Sequence, residues 1–147
     1  MEIAILGLGC FWGPEIKFSK LDGVVKTEVG YCGGNSSETT YKEVCTGTTN
    51  HAEVVKLDFD PKIISYEKIL KFFFEIHDPT TLNSQGPDFG TQYRSEIFYL
   101  NDQQKEVSEK IIEEENIKYS GKIVTKISLA KNYCPAEEYH QKYLDKR

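Results

Sequence analysis

The sequence predicts an α+β protein: a two-layer sandwich with a ferredoxin-like βαββαβ core and long functional loops. Three observations favour this fold class. Residues 3–6 form a short apolar run typical of a buried strand, and residues 53–59 alternate between polar and apolar side chains. The first six predicted elements also follow the order strand, helix, strand, strand, helix, strand. At 147 residues the chain can bury a sizeable core, so we expect a single domain over 1–147.

The first half of the chain is predicted to contain three strands and two helices. The first strand lies near residues 2–8. A helix follows at 14–21, because proline suits the first helical turn. Residues 24–29 form the second strand, and 53–59 form the third. Ser65 then caps a helix with an apolar face.

The second half begins with an irregular loop at 78–92, which is rich in proline, glycine, asparagine and threonine. Loops of this length inside a domain often carry function. Asn101 is a predicted N-cap, with Gln104 spaced for a capping box. The remaining predicted elements are a strand at 95–100, an acidic helix through 117, a strand at 122–129 and a short helix at 136–144.

Composition argues against several classes of function. The net charge of −5 disfavours general nucleic-acid binding. We find no apolar stretch of membrane-spanning length and no basic, apolar leader of the secretory kind. We therefore expect a cytoplasmic monomer that binds neither nucleic acid nor membranes.

The four cysteines and three histidines do not form a recognisable metal site. No Cys-x-x-Cys pair occurs, and the histidines do not complete a zinc-finger spacing. Without a secretion signal, the cysteines are expected to be reduced thiols. Cys32 and Cys45 are interpreted as small apolar residues, which is the usual role of a buried cysteine.

Cys10 occupies the most informative position in the sequence. It joins the first strand to the first helix, and thiols at helix N-termini have lowered pKa values that favour the reactive thiolate. Phe11 and Trp12, the chain's only tryptophan, follow directly and are suited to form an apolar pocket. The segment predicts a reactive thiol beside aromatic side chains.

Other polar residues occur at predicted strand ends. Tyr31, in Gly30-Tyr31-Cys32-Gly33-Gly34, either offers a phenolic donor or packs within a glycine-rich turn. Glu53 either is an exposed charge at a strand end or is a partly buried acid with a raised pKa. The loop before the fourth strand adds Asp88 and Tyr93.

Taken together, these segments resemble the A-type peptide methionine sulfoxide reductases over nearly the whole chain. The class reverses methionine oxidation, with one enzyme type for each sulfoxide epimer. The segments that carry the resemblance are Gly9-Cys10-Phe11-Trp12-Gly13 with Glu15, Gly30-Tyr31 with Gly33-Gly34, His51-Ala52-Glu53, His77-Asp78-Pro79-Thr80-Thr81, Gln85-Gly86 with Asp88, Gly90-Thr91-Gln92-Tyr93-Arg94-Ser95 and Ala136-Glu137-Glu138-Tyr139-His140-Gln141.

The resemblance implies a catalytic domain that repairs oxidised proteins by reducing the S-epimer of methionine sulfoxide, free or in proteins. A cysteine sulfenic acid would form and then be reduced by a thiol donor. The implied roles are Cys10 as nucleophile, Glu53 as acid, Tyr31 and Tyr93 as donors to the sulfoxide oxygen, Asp88 as part of the polar network, and Phe11 and Trp12 as the pocket for the methyl group.

The resemblance leaves open which thiol reduces the sulfenic acid. Many relatives carry resolving cysteines beyond the Tyr-His-Gln motif, whereas no cysteine follows His140 here. Cys134 is the first internal candidate and Cys32 the second. Otherwise an external thiol, from glutathione with glutaredoxin or from thioredoxin, would act, with no bound cofactor. Some relatives have selenocysteine at the position of Cys10, so the native residue there is also open.

Two alternatives remain at this stage. A cysteine hydrolase or acyltransferase would pair Cys10 with His51 or His140 as base. A metal-binding or interaction module would use the scattered cysteines and histidines.

Overall fold

The computed structural model describes residues 1–144, which contain eight strands and four α-helices. The strands are β1 (Glu2–Leu8), β2 (Val24–Cys32), β3 (Ala52–Phe59), β4 (Ser84–Gln85), β5 (Asp88–Phe89), β6 (Ser95–Tyr99), β7 (Lys126–Leu129) and β8 (Cys134–Pro135). The helices are α1 (Trp12–Ser19), α2 (Tyr41–Cys45), α3 (Tyr66–Glu75) and α4 (Asp102–Lys118), with 3₁₀ turns at Thr91–Tyr93 and Glu138–His140.

Six of these strands form one mixed sheet in the order β7-β6-β1-β3-β2-β8. The four central strands, β6, β1, β3 and β2, are antiparallel to one another. At the two edges, β8 pairs antiparallel with β2, and β7 pairs parallel with β6. β4 and β5 form a separate two-stranded ribbon. The predicted α+β class is confirmed by this sheet and the helices packed against it.

Alternation along the central strands divides the buried side chains between the two faces of the sheet. Ala4, Leu6 and Leu8 belong to a large cluster that includes residues of α1, α3 and α4. Ile5 belongs to a smaller cluster on the other face, with Phe98. Side chains of a strand point alternately to opposite faces, so the helices form a second layer over one face only.

The predicted helix caps explain where two helices begin. The Ser65 hydroxyl accepts a hydrogen bond from the Lys68 N–H at 3.1 Å. The Asn101 side chain accepts one from the Gln104 N–H at 2.8 Å. The Gln104 side chain in turn accepts from the Leu100 N–H at 3.0 Å, one residue before the N-cap. These bonds satisfy N–H groups that have no partner within a helix.

The structure differs from the predicted elements near the C-terminus. The predicted helix at 136–144 is wrong, because only the short 3₁₀ turn at Glu138–His140 forms there. The Gln141 side chain instead bonds both the N–H and the C=O of Val29, each at 2.9 Å. These bonds hold the segment against the edge of the sheet, so its backbone does not continue as a helix. The fifth predicted strand also begins later, at Lys126.

No helix within residues 1–144 is long and apolar enough to span a membrane.

Candidate active site

Gly9 turns the chain sharply from β1 towards α1 and so positions Cys10. Its φ of +100° lies in the left-handed region, where glycine is unstrained. A Cβ atom at this position would also approach the Gln85 side chain to 2.7 Å. Cys10 is half-buried in this turn, and its thiol interacts with the backbone N–H of Trp12, the first residue of α1.

Glu53 is a buried carboxyl group at the start of β3, only 1% exposed. Its Oε1 atom accepts a hydrogen bond from the Phe11 backbone N–H at 3.4 Å, while Oε2 has no partner among the described residues. Burial raises the pKa of Glu53 to about 8, because desolvation outweighs the Phe11 hydrogen bond, and Asp88 raises it further. The sequence left two interpretations of Glu53 open, an exposed charge or an acid with a raised pKa. The burial of the side chain favours the second.

Cys10 does not have the lowered pKa expected at a helix N-terminus. Burial raises the pKa of its thiol to about 11, and the negative charges of Glu53 and Asp88 act in the same direction. The hydrogen bond from the Trp12 N–H does lower the pKa, but less than burial raises it. Cys10 and Glu53 are therefore both protonated near neutral pH.

Tyr31 lies opposite Glu53 in the β2–β3 ladder, and its side chain is fully buried. Its hydroxyl donates to Oε1 of Glu137 at 2.8 Å. Burial and this hydrogen bond raise the pKa of Tyr31 above its ordinary value. The hydroxyl proton is thus engaged by Glu137, which was not anticipated from the sequence.

Tyr41 is a site residue that sequence reasoning missed. The Thr40 hydroxyl caps α2 by accepting from the Glu43 N–H at 3.2 Å, and Oε2 of Glu137 accepts from the Tyr41 N–H at 2.9 Å. Burial raises the pKa of Tyr41, and a side-chain hydrogen bond to Cys45 and the charge of Glu53 raise it further. The Tyr41 hydroxyl is therefore close enough to Glu53 to sense its charge.

Tyr93 and Asp88 complete the polar side of the site. The 3₁₀ turn that holds Tyr93 begins at Gly90, whose C=O accepts from the Tyr93 N–H at 3.0 Å. Desolvation raises the pKa of Tyr93 to about 12, with further contributions from Glu53 and Asp88. Asp88 lies in β5, and its charge acts on Cys10 and Glu53. The structure brings both predicted residues to the Cys10–Glu53 pair.

Phe11 and Trp12 form an aromatic group beside Cys10. The Phe11 side chain is 1% exposed, and its ring centroid lies 5.2 Å from that of His140. The Trp12 indole N–H donates to Nδ1 of His140 at 3.1 Å, and its ring stacks on Tyr143 at 3.9 Å. Trp12 is only half-buried, so it is the aromatic ring that a ligand can reach.

The alternative of a histidine base finds no support in the contacts of His51 and His140. His51 Nδ1 accepts from the Gly34 N–H at 3.1 Å, and Nε2 lies 2.7 Å from the Ser36 carbonyl oxygen. The Nδ1 atom of His140 accepts from Trp12. Both histidines therefore hold neighbouring structure in place.

Among the described residues, no group of three or more His, Cys, Asp or Glu side chains is arranged to hold a metal ion. All four cysteines are free thiols.

Comparison with known proteins identifies the family. A family model described as peptide methionine sulfoxide reductase matches residues 2–147. A relative from Pelagibacter ubique, named peptide methionine sulfoxide reductase MsrA, is 82% identical over 147 residues, which is the full length of both chains. The chain belongs to the peptide methionine sulfoxide reductase family. Its A-type resemblance is confirmed, and the protein is an oxidoreductase that reduces methionine sulfoxide with a thiol donor.

Solved structures agree with the fold. Mxr1 from Saccharomyces cerevisiae in its reduced form matches with a TM-score of 0.94 and 47% identity, covering 99% of this chain and 85% of Mxr1. Mxr1 in complex with Trx2 matches with a TM-score of 0.68 and 32% identity, covering 97% of this chain and 84% of that one.

Proposed function

We propose that this protein reduces the S-epimer of methionine sulfoxide with Cys10 as nucleophile and Glu53 as proton donor, in one catalytic domain over 1–147. One observation carries the assignment. Glu53 is a buried acid whose pKa is raised to about 8, with one carboxyl oxygen that has no partner among the described residues. An acid that is still protonated near neutral pH can deliver a proton to a sulfoxide oxygen.

The reaction needs this proton because oxide is a very poor leaving group. The Cys10 sulfur attacks the sulfoxide sulfur while Glu53 protonates the oxygen. The S–O bond of the sulfoxide breaks, and the oxygen leaves as water with one proton from Glu53 and one from the Cys10 thiol. Water then attacks the Cys10 sulfur, the S–S bond to methionine breaks, and methionine leaves. Cys10 becomes a sulfenic acid, and the proton released returns to Glu53. Because the pKa of the free thiol is raised to about 11, the thiolate forms during this step and not in the free enzyme. Proton transfer to the oxygen and loss of the thiol proton are therefore coupled.

Tyr41 and Tyr93 are the proposed donors to the sulfoxide oxygen. The two side chains share a hydrogen bond, and the charge of Glu53 raises the pKa of both. Neutral phenols stabilise developing charge on oxygen without supplying a competing acid. The resemblance favoured Tyr31 for this role. Because the Tyr31 hydroxyl donates to Glu137, we assign Tyr31 to positioning, with Asp88 in the polar network near Glu53.

The methyl group of the substrate would rest against the aromatic group. Phe11 is almost fully buried, so it supports the pocket and offers little surface to the substrate. Trp12 is half-buried and is held by His140 and Tyr143, so it offers a fixed apolar surface. Because such a pocket grips only the sulfoxide end of the side chain, both free and protein-bound methionine sulfoxide are proposed substrates.

The proposed reductant is thioredoxin, or glutaredoxin with glutathione. The complex of Mxr1 with Trx2 supports the first of these. We also propose that the core is ferredoxin-like, which the antiparallel order β6-β1-β3-β2 supports. A cytoplasmic location and a monomeric state stay predictions from the sequence.

Stereospecific assays test the proposed function. The reduced enzyme is supplied with dithiothreitol and with the separate S- and R-epimers of a methionine sulfoxide peptide, and methionine is measured. We expect reduction of the S-epimer alone, and no reduction by Cys10→Ala. Reduction of the R-epimer at a comparable rate, or an active Cys10→Ala variant, would overturn the proposal.

A further inference from the structure

Arg94 lies between Tyr93 and β6, and its side chain is only 13% exposed. All three of its side-chain nitrogen atoms donate hydrogen bonds. Nη1 donates to the carbonyl oxygen of Thr91 at 2.9 Å, and Nη2 donates to the carbonyl oxygen of Asn50 at 2.9 Å. Nε donates to Oε1 of Glu96 at 2.5 Å. One guanidinium group therefore binds three parts of the chain at once, and the proposed reaction gives it no role.

The two carbonyl groups belong to the turns that carry reacting side chains. Thr91 begins the 3₁₀ turn that ends at Tyr93, a proposed donor to the sulfoxide oxygen. Asn50 lies three residues before Glu53, the proposed acid, in the turn that leads into β3. Arg94 therefore joins the backbone segments that position two groups acting on the same oxygen atom.

The turn at Asn50 is one whose backbone conformation needs support. Its φ of +60° lies in the left-handed region, which asparagine tolerates better than most residues but which few side chains adopt. The next residue is fixed from one direction, because Nδ1 of His51 accepts from the Gly34 N–H at 3.1 Å. The bond from Arg94 to the Asn50 carbonyl oxygen fixes the turn from another.

Glu96 balances the charge of Arg94 on the face of the sheet opposite the helices. Ile97 belongs to the large cluster against the helices, whereas Phe98 belongs to the smaller cluster on the other face. Side chains alternate along a strand, so Glu96 shares the face of Phe98. The Glu96 side chain is 5% exposed, and its Oε2 atom accepts from the Ser128 hydroxyl at 2.5 Å.

Glu53 lies on the other side of the sheet from this ion pair. Val55, two residues after Glu53 in β3, belongs to the large cluster against the helices. The same alternation puts Glu53 on the helix side. The pair of Arg94 and Glu96 is therefore behind the catalytic face, and Arg94 acts on the site through backbone carbonyl groups.

We propose that Arg94 is a positioning residue for the reduction, whose planar guanidinium group holds the turns of Tyr93 and Glu53 at the spacing that a sulfoxide oxygen requires. This inference rests on the proposed function, because the spacing matters only if both groups act on one oxygen. A guanidinium group presents its donors in a fixed plane, whereas a lysine ammonium is a compact charge on a flexible stem. Lysine can therefore pair with Glu96 without reproducing both carbonyl bonds.

Two variants separate the geometry of Arg94 from its charge. Arg94→Lys keeps a positive charge beside Glu96 and loses the planar group. Glu96→Gln is the matched control, because it removes the ion pair and keeps an acceptor oxygen for Nε, so the two carbonyl bonds remain. For each protein, kcat and KM are measured with dithiothreitol and an S-methionine sulfoxide peptide. Urea unfolding shows whether each variant is folded.

We expect Arg94→Lys to lower kcat by at least about tenfold, because a small misplacement of catalytic groups slows a reaction strongly. Its KM should change by less than about threefold, since the aromatic group at Phe11 and Trp12 is not altered. Glu96→Gln should keep kcat within about threefold of the wild-type value, even where its stability falls. The double variant Arg94→Ala, Glu96→Gln leaves no buried charge unpaired and should lower kcat on the order of 10²-fold.

A kcat within about threefold of the wild-type value in either folded Arg94 variant overturns the positioning role, while the proposed function stands. An equal loss of kcat in Glu96→Gln and Arg94→Lys also overturns it, because the charge pair and not the planar geometry would then matter. If the wild-type protein does not reduce the S-epimer, the proposed function itself is wrong, and this inference with it.

Discussion

The backbone N–H of Phe11 donates a hydrogen bond at 3.4 Å to Oε1 of Glu53, a residue 42 positions further along the chain. Oε2 of the same carboxyl group has no partner among the described residues. This relationship ties the acid to the residue that follows the nucleophile. It fixes the orientation of the carboxyl group and leaves one oxygen available for chemistry. The site is therefore organised around a neutral acid in a fixed position.

Replacing Glu53 by glutamine removes the proton donor while keeping an acceptor for the Phe11 N–H. We expect Glu53→Gln to slow methionine formation in a single turnover by about 10²–10⁴-fold, the usual contribution of a positioned acid. Glu106→Gln is the matched control, because Glu106 is exposed on α4, away from the site. An unchanged rate in Glu53→Gln would mean that another group protonates the oxygen.

The same buried acid makes stability depend on pH in a predictable direction. The folded state raises the pKa of Glu53 from 4.5 to about 8, so in this window the folded protein binds more protons than the unfolded chain. Stability contributed by this group must therefore fall as the pH rises from about 4.5 to about 8. Urea unfolding of the wild-type protein and Glu53→Gln should show a free-energy difference that increasingly favours the variant across this range. A difference that does not change with pH would show that Glu53 is not buried as a neutral acid.

Tyr41 and Tyr31 are expected to respond differently to loss of their hydroxyl groups. Tyr41→Phe removes a donor to the sulfoxide oxygen, so we expect a fall in kcat on the order of 10²-fold with the fold intact. Tyr31→Phe removes the hydrogen bond to Glu137, so we expect a stability loss of about 1 kcal/mol and a smaller change in kcat. Steady-state kinetics and thermal unfolding of both variants provide the measurement. An equal or larger loss of kcat in Tyr31→Phe would return Tyr31 to the role that the family resemblance gave it.

Glu15 connects the C-terminal segment to α1, and its removal should disturb Trp12. The buried Glu15 carboxyl group accepts from the Lys142 N–H at 2.7 Å and from the Thr27 hydroxyl at 2.9 Å. Glu15→Ala should lower the free energy of unfolding by about 2–4 kcal/mol, because it leaves both donors unpaired. The fluorescence of Trp12 should also change, since Tyr143 next to Lys142 stacks on this single tryptophan. Glu15→Gln keeps an acceptor oxygen and should show smaller effects in both measurements, so an equal effect in the two variants would contradict the account.

Several parts of the fold could be predicted from local sequence because their causes are local. The apolar run of β1 and the alternation in β3 reflect burial on one or both faces of the sheet. Ser65 and Asn101 act through hydrogen bonds to residues three positions away. The helix expected at 136–144 was wrong because its competitor is distant in sequence: Gln141 bonds the backbone of Val29.

The same distinction applies to the site. Cys10, Phe11 and Trp12 are contiguous, and Glu53 lies in the short motif His51-Ala52-Glu53. Both segments can therefore be recognised from the sequence alone. Tyr41 lies in a polar stretch without periodicity, and its place in the site depends on Glu137, 96 residues away. The raised pKa of Cys10 was missed for a similar reason, because it comes mainly from tertiary burial, whereas the helix end that lowers it is visible locally.

The most direct test of the central claim is to trap the intermediate at Cys10. Reduced protein is mixed with one equivalent of an S-methionine sulfoxide peptide and dimedone, without reductant, and methionine and the labelled residue are quantified together. The account predicts one methionine for each dimedone adduct, located at Cys10, and neither product when Cys10 is replaced by alanine. Methionine formed without an adduct at Cys10, or formed equally well after its replacement, would contradict the assignment of Cys10 as the nucleophile.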